Sequence, residues 1–213
     1  MGKYILGCVG VAILGLIVVA LIVFGAAADS YNNLVSLKQG VDAQWAEVEN
    51  QYQRRTDLIP NLVRTVSGAA NFEKSTLIAV TDARASVGQV KIDPNTAPTD
   101  PAQLQKFEQA QGALGNALSR LLVVSENYPD LKANQNFLDL QAQLEGTENR
   151  ITTARNHFNV AAQSYNTAVQ SFPTMFIARM YGFTTRPYFQ AKEGSDVPPA
   201  VNFDTSTNSA PAH

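Results

Sequence analysis

The chain is poor in the residues that carry chemistry. Its 213 residues include one cysteine, Cys8, so no disulfide can close within it and no cysteine cluster can hold a metal. A missing disulfide does not decide the compartment, since many periplasmic domains have none. There are two histidines, His157 and His213. A zinc pair of the His-x-x-x-His kind is absent, and Ala154 stands three residues before His157, where a bundle di-iron site needs glutamate. No glycine-rich phosphate loop leads from a strand into a helix, and strand-type alternation is scarce throughout. No nucleophile has a base beside it. A surplus of positive charge is missing too: 16 basic residues face 18 acidic ones, a net of −2. Binding nucleic acid needs a basic face to neutralise phosphate, so nucleic acid is not an expected partner. These absences exclude metal, cofactor and catalytic residues as sequence-level expectations. Ala, Gln, Leu and Asn dominate the long stretches and lean the composition to all-α.

What is there is a long amphipathic rod. Between residues 134 and 172, Phe137, Leu144, Ile151, Phe158, Tyr165 and Phe172 recur seven apart. Leu140, Thr147, Ala154, Ala161 and Ala168 form a second file beside them. Bulky residues in one file and mostly small ones in the other make a seam that another helix can approach closely. At ~1.5 Å per residue the rod is roughly 58 Å long. Helices elsewhere must lie along it to bury its stripe.

The other long signal is at the N-terminus. Residues 5–28 form an uncharged run of about 24 residues between Lys3 and Asp29, enough to cross a hydrocarbon core of ~30 Å. Ala26-Ala27-Ala28 before Asp29 resembles a signal-peptide cleavage site, but the run exceeds the ~7–15 apolar residues of a secretory signal, which favours an uncleaved anchor. Ile5-Leu6-Gly7-Cys8 has a faint lipobox look, although the apolar run continues past it. Lys3 with the N-terminal amine weakly favours the N-terminus inside. That puts the body outside the cytoplasmic membrane.

From Tyr31 to Ile59 two heptad files appear, Leu34, Val41, Val48 and Trp45, Tyr52, Ile59, on a helix that can continue the span without a linker. Pro60 opposes the carbonyl of Thr56 and predicts a kink or a restart, with Asp57 available as a cap. The next apolar face carries Phe72, Thr76, Ala79, Val80, Ala83 and Val87. A loop rich in Pro and Asp leads to Asp100-Pro101, a cap followed by proline at the first helical position. That helix carries Leu104, Phe107, Leu114, Leu118, Leu121 and Leu122 until Pro129 stops it, and Asn134 caps the rod. Pro173 ends the rod, and a short helix from Thr174 to Tyr181 is closed by Gly182. The domain boundaries are therefore an anchor over 1–28, a helical body over 29–190 with an apolar segment over 172–190 packed on it, and a disordered tail over 191–213. Its main helices are expected at 29–68, 71–89, 101–127 and 134–172.

Two groups stand out as candidate sites. Arg54, Arg55, Asp57 and Asn61 are the densest polar group. They could recognise a carboxylate or phosphate or form an internal network that sets helix register around Pro60; the internal network is the simpler reading. Met175, Phe176, Met180 and Phe183 belong to a segment apolar on every side, which the bundle, lipid or a partner must cover. A lid on one open end of the bundle is the plainest reading.

At these residues the chain resembles the LemA family of bacteria. The resemblance is carried by Tyr31-Asn32-Asn33-Leu34, by Arg54-Arg55-Thr56-Asp57-Leu58-Ile59-Pro60-Asn61-Leu62-Val63, by Glu126-Asn127-Tyr128-Pro129-Asp130-Leu131, by Gly146-Thr147-Glu148-Asn149-Arg150-Ile151 and by Tyr181-Gly182-Phe183. Phe72 and Phe158 stand where the family usually has histidine and tyrosine, so a polar role at either place does not carry over. The resemblance implies an N-terminal membrane helix, an up-and-down four-helix bundle with coiled-coil-like helices, and no established reaction. Some relatives are linked to internal membrane organisation in magnetic bacteria. The expected function is a membrane-anchored, non-catalytic scaffold that meets lipid, copies of itself or another membrane or envelope protein. One alternative is a sensory bundle with a ligand pocket lined by Tyr52, Trp45 and Arg54. The remote one is a hydrolase.

Overall fold

A computed structural model describes residues 2–69, 72–90 and 92–190, with side chains from residue 13 onward. The proposed tail over 191–213 and the Cys8 side chain lie outside the described residues. Six helices follow one another: α1 (Gly2–Ser67), α2 (Lys74–Gln89), α3 (Pro101–Ser125), α4 (Pro129–Lys132), α5 (Gln135–Gln170) and α6 (Thr174–Tyr181). No strand occurs among the described residues, so the all-α expectation holds.

The N-terminal apolar run and the first body helix are one rod. The 66 residues of α1 span roughly 100 Å at ~1.5 Å per residue. Its apolar residues from Ile13 to Phe24 are exposed along their whole circumference, whereas Leu34, Val41, Trp45, Val48 and Tyr52 are buried. Among the described residues, α1 is the one helix long and apolar enough to cross a membrane.

Pro60 causes neither a restart nor a cap at Asp57: α1 runs through it to Ser67. The carboxylate of Asp57 instead accepts a hydrogen bond from Gln53 Nε2 at 2.7 Å. The carbonyl of Thr56, which loses its helical donor to the proline ring, accepts from Arg84 Nε of α2 at 3.4 Å. An orphaned carbonyl has thus found a partner on the neighbouring helix.

α1 pairs with α5, and α2 pairs with α3. Trp45 meets Phe158 at 5.7 Å between ring centroids, and Arg55 bonds to Glu148. Ten residues up α1 match ten down α5, so this pair is antiparallel and Tyr31 is level with Phe172. Glu73 and Arg120 pair across the start of α2 and the last third of α3, so the second pair is antiparallel as well. Two apolar clusters fill the interior. One surrounds Trp45, Phe107, Phe158 and Tyr165; the other surrounds Ile59, Leu62, Val80, Leu114 and Phe137. Each such fully buried side chain contributes about 1.5–3 kcal/mol relative to exposure.

The seam of α5 is buried from Phe137 through Leu144, Ile151 and Phe158 to Tyr165. Phe172 departs from the expectation and is exposed, because α5 ends at Gln170 and the chain turns before Pro173. In the second file burial moves from Ala154 to Ala162 instead of Ala161, the drift of a 3.6-residue turn against a seven-residue repeat. The Asp100 cap forms, its carboxylate accepting from the Ala102 N–H at 2.9 Å. Asn134 caps α5 through the Phe137 N–H at 3.3 Å. α2 begins at Lys74 rather than 71, and Ala79 faces solvent while Leu77 joins the core margin. Gly182 closes α6 with φ 73°, a left-handed conformation that glycine adopts without steric cost.

After Gly182 the chain runs back along α5 as an extended strap. The side-chain amide of Asn166 accepts from the Arg186 N–H at 2.7 Å and donates to the Arg186 carbonyl at 2.8 Å. Asn159 does the same for Phe189, at 2.9 and 3.0 Å. The spacing explains the fit. Seven residues of helix rise about 10.5 Å, and three residues of extended chain cover about 10 Å. Replacing Asn166 by Ala removes both hydrogen bonds to the Arg186 backbone, a net loss of about 1–2 kcal/mol. Amide exchange over residues 183–189 is then expected to accelerate roughly 5–30-fold. Unchanged protection in a deuterium-exchange experiment would refute the strap.

Candidate functional site

The four polar residues around Pro60 do not form one site. Arg54 and Arg55 are adjacent, and adjacent residues on a helix point about 100° apart. Arg55 falls in the buried file of Leu34, Val41, Val48 and Leu62, seven residues from Val48 and from Leu62. Arg54, Asp57 and Asn61 face solvent. Asp57 is held by Gln53, and Asn61 accepts from Arg64 Nη2 at 2.5 Å.

Arg55 is the centre of a polar layer across α1, α3 and α5. Its Nη1 donates to Glu148 Oε1 at 2.6 Å, and its Nη2 donates to both the carbonyl and the Oε1 of Gln111, at 3.0 and 2.5 Å. Gln111 occupies the buried file of Leu104, Leu118 and Ser125 on α3, again at seven-residue spacing. The heptad count alone points to both residues: extending Val41 and Val48 by seven lands on Arg55, and extending Leu104 by seven lands on Gln111. A charged or amide group at such a core position favours the one helix register that satisfies it.

A second polar group lies nearer the α3 N-terminus. Arg155 Nη2 donates to Glu108 Oε1 at 2.7 Å and to the Gln190 carbonyl at 3.0 Å, with its guanidinium over the Phe189 ring. Tyr52, Glu108, Gln111, Glu148 and Arg155 border an open groove of about 460 Å³ between α3 and α5. Burial raises the Glu108 carboxyl above its ordinary value, outweighing the attraction of Arg155. Burial also raises the Tyr52 and Tyr165 hydroxyls, against the opposing pull of nearby arginines. An acid whose folded pKa exceeds its unfolded one stabilises the fold while protonated, and that share is lost as pH rises from 4.5 through the raised value. The Tm of Glu108→Gln relative to the parent is expected to rise between pH 4 and 7, since the variant lacks this loss. A steeper fall in the variant would contradict it.

Nearer the foot of the body, Asp42 ties three segments together. It accepts from Lys38 Nζ at 2.8 Å and from the Ala97 N–H at 3.0 Å, and Arg186 Nη2 stands 3.8 Å away. Trp45 Nε1 donates to the Asp93 carbonyl at 3.1 Å, so the α2–α3 loop is pinned to α1 at two points.

The ligand pocket foreseen at Tyr52, Trp45 and Arg54 does not form. Trp45 is fully buried against Phe107, Phe158 and Phe189, and Arg54 faces solvent on another side of α1. His157 is exposed on α5, and among the described residues no three His, Cys, Asp or Glu side chains converge as metal ligands. The apolar segment divides into two sides. Met175, Ile177, Ala178 and Phe183 are buried or half-buried, whereas Phe176 and Met180 face out. α6 therefore rests on α1 and α5 with one side only.

A family model described as the LemA family matches residues 44–203. Magnetosome protein MamQ of Magnetospirillum gryphiswaldense is 28% identical over 183 residues, which cover 79% of this chain and 67% of that protein. Magnetosome protein MamQ 1 of Paramagnetospirillum magneticum is 28% identical over 186 residues with the same shares. Protein LemA of Metamycoplasma hominis is 24% identical over 142 residues, 66% of this chain and 60% of its own length. The family match takes in α1 from Gln44 through the Arg55 layer, the α5 seam and the returning strap, and on that match the chain belongs to the LemA family.

Proposed function

We propose that this protein is a membrane-anchored, non-catalytic scaffold. A single span holds it in a bacterial cytoplasmic membrane, and its helical body presents a surface for contact with other proteins, copies of itself included, on the extracytoplasmic side. The observation that carries this reading is where the buried charge goes. Arg55 donates to Glu148 and Arg155 to Glu108, and Arg186 Nη2 lies 3.8 Å from Asp42, so these guanidiniums are directed at carboxylates of the same chain. Confinement by the anchor raises the local concentration of copies, so contacts too weak to form in solution can assemble them.

Crosslinking in native membranes tests the reading. Discrete higher-mass species containing this chain are expected; monomer alone, with no partner, would overturn it. A reporter fused at the C-terminus reads the side of the membrane independently, and a cytoplasmic signal would reverse the proposed topology.

A further inference from the structure

We propose that α6 is a second membrane contact, lying in the bilayer interface beside the span and fixing the direction in which the body faces. The inference rests on α1 crossing the membrane and is independent of any protein partner.

Three observations place it there. The first is height. The register of α1 against α5 puts the end of α5 level with Tyr31, and α6 continues from that end. The Tyr31 ring lies 4.8 Å from Tyr181 and 5.7 Å from Phe183. The uncharged run ends at Ala28, three residues before Tyr31, or about 5 Å along the helix. Ala27 and Ala28 are already half-covered, while Ile13 to Phe24 are bare. An interfacial helix seats its apolar face ~5–10 Å into the boundary between headgroups and acyl chains, which matches this height.

The second is composition. Phe176 and Met180, four residues apart on α6, are 58% and 68% exposed, and Phe172, in the turn just before the helix with its ring 5.9 Å from that of Phe176, is 79% exposed. The opposite side of α6, with Met175, Ile177 and Ala178, rests on α1 and α5. Large apolar residues on the outer side of a helix are costly in water. Lipid removes that cost at a place where the same chain supplies a span. Tyr31 and Tyr181 are of the amphipathic aromatic type that collects at headgroup level. The third is charge. Arg179 is exposed in the last turn of α6, and a cation there is attracted by lipid phosphate.

The consequence is orientation. A single continuous helix lets its body rotate about the span axis. A second contact off that axis removes the rotation, so the same flank of the bundle meets every neighbour in the plane.

The test uses the full chain in nanodiscs of phosphatidylcholine and phosphatidylglycerol, with nitroxide labels at Phe176→Cys, Met180→Cys, Ile17→Cys and Arg120→Cys in a Cys8→Ser background. Relaxation by oxygen is expected to exceed relaxation by a water-soluble nickel chelate several-fold at 176 and 180, more strongly still at 17, and to reverse at 120. Labels at 176 and 180 that behave like the one at 120 would overturn the inference. So would labels shielded from both agents, since another protein surface would then be covering α6. A water-exposed label at 17 would overturn the span together with it, which separates the two failures.

Discussion

Trp45→Ala is expected to cost about 4 kcal/mol, within the range for truncating a buried large aromatic, and to lower Tm by roughly 8–15 °C for a body of this size. Trp45 joins everything that meets in the lower half of the body. Its ring packs against Phe107 of α3, Phe158 of α5 and Phe189 of the strap. Its indole N–H holds the α2–α3 loop through the Asp93 carbonyl. Alanine opens a cavity among three rings and removes one of the two points that pin the loop, leaving the Ala97–Asp42 bond. Trp45→Phe keeps most of the ring volume and loses the hydrogen bond, and is expected to cost about 1–2 kcal/mol. Thermal unfolding followed by circular dichroism separates the two. A loss below about 1 kcal/mol for the alanine variant would mean that the cluster is not the keystone of this half.

Glu148→Ala is the second large effect, and its direction is informative. Arg55 has a 4% exposed side chain, and Glu148 has a 49% exposed one. Removing the carboxylate leaves a buried guanidinium with only Gln111 to answer it. Breaking a buried pair costs ~3–5 kcal/mol, and the exposure of Glu148 lowers the expected value to about 2–3 kcal/mol. Arg55→Met removes the buried charge itself and leaves Glu148 free to hydrate, so about 1–2 kcal/mol is expected. In the Arg55→Met background, Glu148→Ala is expected to cost less than about 0.5 kcal/mol. A double-mutant cycle measures this coupling directly. Additive losses would show that Glu148 supports the body by some other route.

Much of the fold is written locally. The apolar run at the N-terminus, most of the files on α1, α3 and α5, the Asp100 and Asn134 caps and the Gly182 stop each depend on spacing or on a few neighbouring residues, and appear where those residues call for them. Phe172 and Ala161 are the exceptions, displaced by the turn before Pro173 and by the drift of the helical turn. The candidate site was less legible. Arg54 and Arg55 look equivalent in a string, and only the seven-residue count separates the buried one from the exposed one. Asn159 and Asn166 look like ordinary polar residues on a helix. Their role as backbone mimics exists only because an extended segment returns beside them.

By itself, then, the sequence determined the rods: their periods, most of their caps and the apolar length that can cross a membrane, because helical periodicity is a short-range property. The tertiary structure alone decided which flank of each rod is covered. The partner of Arg55 lies 93 residues away, and Tyr31 meets Tyr181 only because α5 runs antiparallel to α1 and delivers α6 to the foot of the span. Burial is a property of what arrives from elsewhere in the chain, and no window of one helix contains it.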